Sequence, residues 1–126
     1  MVDIAVDRVA FGSGSAAAEP AIDADHLARM TLGDRDLERE LLRLFHIQTR
    51  MLIERMRDGP ESGVASCAHT LKGSARGIGA WRVAGAAEQV ERRAGGGQSG
   101  FEAAMDELVG SVAEARAAIE RLLRIN

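Results

Sequence analysis

The sequence predicts an all-α protein: an antiparallel, up-down bundle of four helices with a short additional helix at its N-terminal end. Three observations predict it. Aromatic residues make up only 3% of the 126 positions and tyrosine is absent, so a core must come from Leu, Ile, Val, Met and Ala. That palette is rich in strong helix formers. Apolar residues recur three and four apart over several long segments, which is the mark of one helix face. No segment carries a sustained run of strand signals, and no internal repeat is found. A hydrophobic fraction of 46% supplies a core, and 126 residues suit one compact domain.

The elements follow in chain order. Residues 1–20 read as a flexible or weakly ordered tail. Within it "VDIAVDRVAF" alternates weakly and reads as a strand-like arm, a helix turn or disordered chain. "GSGSAAAEP" is small and polar, a linker composition. The folded domain is placed at 21–126. "DADHLARM" offers Asp23 or Asp25 as the cap of a short first helix, with Leu27 and Met30 on one side. "TLGD" ends it. From Asp34 to about Asp58 a long amphipathic segment puts Leu37, Leu41, Leu44, Phe45, Met51, Leu52 and Met56 at helical spacing, interrupted by Gln48 and Arg55. Gly59 and Pro60 stop that helix and start the next, which runs from about Glu61 to Gly79. A fourth spans about Ala80 to Ala94, with Val83, Ala84, Ala87, Val90 and Ala94 inward. "GGGQSG" is a flexible turn. The last helix carries Phe101, Met105, Leu108, Val112, Ala115, Ile119, Leu122 and Leu123 on one face. Amphipathic helices joined by short connections bury their stripes against one another, with the first helix as a lid.

Charge and composition exclude several functions. The net charge is -3 and the isoelectric point about 5.6, so no overall basic field exists to hold nucleic acid. The single cysteine, Cys67, rules out an intrachain disulfide and fits a reducing compartment. No apolar run approaches the roughly 18 residues of a membrane span. The N-terminus, with Asp3 and Asp7, is not a secretory signal. The expected address is the cytoplasm.

The third helix carries the chemistry. On a helical wheel, Val64, Cys67, Ala68, Leu71, Ala75 and Ile78 form its core face. Cys67 therefore reads as a small buried hydrophobe. His69 falls on the other side, with Lys72, Gly73, Arg76 and Gly77 after it and Ser62, Ala65 and Ser66 before it. Ordinary solvent faces carry Glu, Lys, Arg and Gln. A face of Ser, Ala and Gly around one imidazole and two cations lets another surface reach the backbone closely. A neutral imidazole there can accept a phosphoryl group. Lys72, one turn on, can stabilise the added charge, and Arg76 can extend the positive patch or meet an acidic partner. No second ligand stands at i+3 or i+4 for a metal, and no acid or oxyanion site completes a hydrolytic triad with Ser66. "RRAGGGQSG" lacks the strand, lysine and hydroxyl of a phosphate-binding loop. His26 and His46 have no neighbour that suggests chemistry, and His46 reads as lying at the edge of the core.

Ala68, His69, Leu71, Lys72, Gly73, Ser74, Ala75, Ile78 and Gly79 resemble the signature of histidine-containing phosphotransfer domains, "HxLKGxA" followed by an apolar-Gly pair. The resemblance covers about residues 23–125. It implies a monomeric four-helix relay that exchanges a phosphoryl group between its histidine and an aspartate of a response-regulator receiver domain, fed by a sensor or hybrid histidine kinase. By that resemblance His69 is the phosphoacceptor, through the ring nitrogen remote from the backbone. Lys72 assists electrostatically and Gly73 leaves space for the receiver. The family often has a polar residue on the following helix that steadies the ring, and Glu88 and Glu91 fall in that stretch. Arg92 or Arg93 stands where some members have an arginine. Such a protein holds phosphate rather than acting as a stand-alone catalyst. It needs no cofactor of its own, and magnesium is expected on the receiver. The alternative is a helical module that docks on a receiver or kinase without transferring phosphate. The dimerisation domain of a sensor kinase is a weaker third reading.

Overall fold

The computed structural model describes residues 20–95 and 99–125, the side chain of residue 125 excepted. The tail expected at 1–20 therefore lies outside the described residues except for Pro20, as does the middle of the "GGGQSG" turn, residues 96–98. The described residues form five α-helices and no strand: α1 (Ala24–Met30), α2 (Arg35–Asp58), α3 (Val64–Ile78), α4 (Trp81–Arg93) and α5 (Phe101–Ile125). A short 3₁₀ turn, Glu61–Gly63, leads into α3.

Local chemistry sets the boundaries. Of the two cap candidates, Asp23 is the one used: its side chain accepts a hydrogen bond from the His26 amide at 3.0 Å. Asp34 caps α2 in the same way, accepting from the Leu37 amide at 3.0 Å. Between them Thr31 is buried, its hydroxyl donating to the Leu27 carbonyl at 3.0 Å. Leu32 and Gly33 turn the chain with φ of 54° and 78°. For Leu32 that left-handed backbone costs roughly 1 kcal/mol. Gly79 ends α3 at φ 85°, and a β-carbon there would lie 3.0 Å from atoms of Asp23. Glycine at this position is thus required by both backbone and packing.

α3 packs against α4 and α2, α5 against α4 and α2, and α1 lies over α3 and the start of α2. The core side chains of α3, α4 and α5 follow the sequence reading closely. Ala68, Leu71, Ala75, Val83, Ala87, Val90, Leu108, Ala115 and Ile119 are almost wholly buried. Cys67 and Ala94 sit at the margin of this core.

Helix α2 departs from the expectation. Its buried residues are Leu42, Phe45, Thr49, Leu52 and Met56. Leu37, Leu44 and Met51, expected in the core, are exposed, as is Ile47. Leu37, Leu44 and Met51 form a second apolar row on the same helix, so a neighbouring stripe also fits helical spacing. Thr49 enters the buried stripe because its hydroxyl is satisfied by the His46 carbonyl at 3.0 Å. His46 is half-buried, as expected for the core edge, but it has partners on α5. The Arg116 guanidinium donates to its Nδ1 at 3.3 Å, so its Nε2–H donates to Glu120 at 3.0 Å.

Candidate functional site

The site is built from one face of α3 and one edge of α4. Helix periodicity alone puts His69, Lys72 and Arg76 on adjoining turns of α3, away from the buried Ala68, Leu71 and Ala75. The tight packing of α3 on α4, through alanines on both sides, brings Glu88 and Glu91 alongside them.

Glu91 joins two of the three. Its Oε2 lies 2.9 Å from His69 Nδ1, and its Oε1 lies 2.8 Å from Lys72 Nζ. A carboxylate only accepts, so the proton of the imidazole resides on Nδ1 and the lone pair on Nε2. The His69 side chain is 68% exposed, which leaves Nε2 open to solvent. Lys72 is different from the sequence expectation. Its side chain is only 17% exposed, and its ammonium is already paired with Glu91 rather than standing free. The paired ammonium, and next the histidine bond, hold the Glu91 carboxyl below its ordinary value. The network is therefore ordered as cation, carboxylate, imidazole, open nitrogen.

Glu88 does not reach His69. It accepts from Arg76 at 3.2 Å and from Arg92 at 2.6 Å, forming a second cluster beside the first. Of the two glutamates, Glu91 is the one bonded to His69, and Glu88 instead holds Arg76. The difference follows from the register of the two helices: Glu91 meets the turn of His69 and Lys72, and Glu88, three residues earlier, meets Arg76. Arg93 donates to Gln89 and takes no part.

The small residues lie where the wheel places them. Ser62 and Ser66 are exposed, Gly73 is exposed, and Ala65 and Gly77 are half-buried. Nothing lies within 4 Å of where a β-carbon would stand at Gly73 or Gly77. Packing inside the chain does not require either glycine, in contrast to Gly79. Among the described residues no group of three metal-ligating side chains converges. No helix among them is long and apolar enough to cross a membrane.

The sequence reading missed the hold that α1 has on the far end of this face. The Asp23 amide donates to the Gly79 carbonyl at 2.9 Å, and the Asp23 carboxylate accepts from Trp81 Nε1 at 2.9 Å. That indole bond, ahead of the His26 amide, lowers the Asp23 carboxyl. His26 Nε2 donates to the Arg76 carbonyl at 3.0 Å, and its ring meets Trp81 edge-on at 4.8 Å. The lone Trp81, whose indole N–H needs a partner when it packs against the fold, was the available signal.

A family model described as Hpt domain matches residues 40–124. No curated protein and no solved structure matches the chain.

Proposed function

Since the chain belongs to the Hpt domain family, whose members serve histidine phosphotransfer in two-component systems and meet receiver domains and histidine kinases, we propose that His69 is its phosphoryl carrier. The observation that carries the proposal is the geometry of one ring: Nδ1–H held by Glu91 at 2.9 Å and Nε2 turned to solvent. In this reading the α2–α5 helices form an up-down antiparallel bundle that serves as a rigid stand for that ring.

The step balances without a group of the protein's own beyond the imidazole. The Nε2 lone pair attacks the phosphorus of a receiver aspartyl phosphate. The N–P bond forms as the P–O bond breaks, and the aspartate leaves as carboxylate. The ring then carries positive charge, and the Glu91 carboxylate beside Nδ1–H stabilises it. Reversal returns the phosphoryl group. Lys72 keeps Glu91 ionised and supplies positive charge one turn from the phosphoryl group. Arg76, held by Glu88, presents a second cation to the partner. Ser62, Ala65, Ser66, Gly73 and Gly77 form the low surface on which the receiver sits. The protein in this reading is a carrier, monomeric and cytoplasmic, and magnesium belongs to the receiver.

The test is direct. Protein mixed with a phosphorylated receiver gains a phosphate that is labile to acid and stable to base. His69→Gln loses it while retaining helix content by circular dichroism. Labelling that survives in the variant removes the assignment to His69, and a wild-type chain that gains no phosphate leaves the docking module as the reading.

A further inference from the structure

We propose that residues 2–11 of the chain, "VDIAVDRVAF", dock in a cationic groove between α2 and α5 and close that seam of the molecule. The proposal is independent of the carrier reading, because the α2–α5 seam and the α3–α4 seam that carries His69 share no helix. α2 and α5 pack less closely on each other than α3 and α4 do. The groove left between them has a volume of about 310 Å³. Its floor is apolar: Val112 is buried, and Ile53 and Val109 pack only partly against the core. Covering such half-exposed apolar side chains is favourable.

Charge narrows the choice of occupant. Arg50, Arg57 and Arg116 line the groove against a single acid, Glu54, in a chain whose net charge is -3. Glu54 is paired with Arg50 at 3.5 Å. Arg116 gives one donor to His46 at 3.3 Å, and its Nε is buried with no hydrogen-bond partner among the described residues. Arg57 is exposed and has no polar partner among them. An occupant with an apolar side and carboxylates along its flank suits both the floor and the rim.

The chain carries such a segment, tethered beside the same seam. At helical spacing Val2, Ala5, Val6 and Val9 share one side of residues 2–11, and Asp3 and Asp7 line its flank one turn apart. The one basic residue, Arg8, falls away from that side. At the other end of the tether, Ile22 shares a hollow with Arg39 and Leu42 of α2 and Leu122 of α5. There α2 and α5 are joined by the Arg39 guanidinium, which donates to the Leu123 carbonyl at 3.1 Å. From Leu42 to Thr49, at the near end of the groove, is two turns, about 10.5 Å. Residues 12–19 reach about 26 Å when extended, so the linker delivers the segment to the groove. A ten-residue helix is about 15 Å long and covers the roughly 12 Å from Thr49 to Arg57. Because the linker enters at the Thr49 end, Asp7 falls near Arg50 and Arg116, and Asp3 near Arg57. The tether gives the segment an advantage over any free competitor by raising its local concentration.

The experiment is NMR on the full chain with labelled valine and isoleucine methyl groups. Nuclear Overhauser effects are expected between Val2, Val6 or Val9 and Ile53, Val109 or Val112, unchanged over an about tenfold range of protein concentration. Arg57→Glu is expected to weaken them about threefold or more, Asp3→Arg to do the same, and the two exchanges together to restore them. Arg57 is exposed, and thermal unfolding checks that each variant remains folded. A folded wild-type chain without these effects overturns the proposal. Effects that fade on dilution give the groove to the segment of a second copy and overturn docking within one chain. Effects that survive both single exchanges, or a double variant as weak as either single one, overturn the pairing of Asp3 with Arg57.

Discussion

Glu91 sets the state of His69, and Lys72 sets the state of Glu91. The order matters for how the site responds to pH. The carboxyl of Glu91 is lowered first by the Lys72 ammonium and then by the His69 bond. A carboxyl lowered on folding favours the folded arrangement above the value it has in the unfolded chain, and that contribution fades as pH falls through the folded value. The His69–Glu91 bond is therefore expected to persist down through pH 4.5, the ordinary glutamate value, and to fail only below it. Carbon-13 NMR of the Glu91 carboxyl measures this. Lys72→Met should move the titration back up toward the ordinary value. A titration in Lys72→Met unchanged from wild type would contradict the ordering. The residue type and position of His69 and Lys72 were legible in the sequence. That the lysine is covered and paired was not, because its partner is 19 positions away on another helix and no local spacing encodes that contact.

At the scale of the element, α3 contains glycines of two kinds. Gly79 is a structural necessity, whereas Gly73 and Gly77 face open space. A helix-interior glycine costs about 1 kcal/mol relative to alanine. Gly73→Glu should therefore leave folding unharmed or slightly improved, as thermal unfolding would show. It should slow phosphotransfer from a receiver by about tenfold or more, equivalent to at least 1.4 kcal/mol of docking or transition-state energy. An equal loss of folding and transfer would return the glycine to a structural role. Helix α2 teaches a different lesson. Its length, its Asp34 cap and its end at Gly59 are all readable from sequence. Its buried face is not, because Leu42–Phe45–Thr49–Leu52–Met56 and Leu37–Leu44–Met51 both satisfy helical spacing. A polar Thr49 takes a core position only because a carbonyl of its own helix satisfies it.

At the scale of the whole molecule, α1 is seated by a few polar bonds around one glycine. The Gly79 carbonyl accepts from Asp23, and Asp23 in turn caps α1 and holds Trp81. Gly79→Ala would force a left-handed alanine whose β-carbon meets Asp23 at 3.0 Å. The expected cost is about 1–2 kcal/mol, a loss of several degrees in Tm for a chain of this size. Because α1 also meets the Arg76 carbonyl, amide exchange at the end of α3 should accelerate in the same variant. Unchanged exchange there would show that α1 does not support this end of the site.

What the chain reveals on reading is whatever repeats at short range: the helices and their ends, the all-α class, and a bare face of α3 with His69 at its centre. These follow from periodicity, caps and residue size, which act between positions a few residues apart. The partner of Lys72, the separate duties of Glu88 and Glu91, the buried stripe of α2 and the seating of α1 come from contacts between helices. Such contacts depend on the rotation of each helix about its axis and its register against the next, and packing of the assembled core settles both.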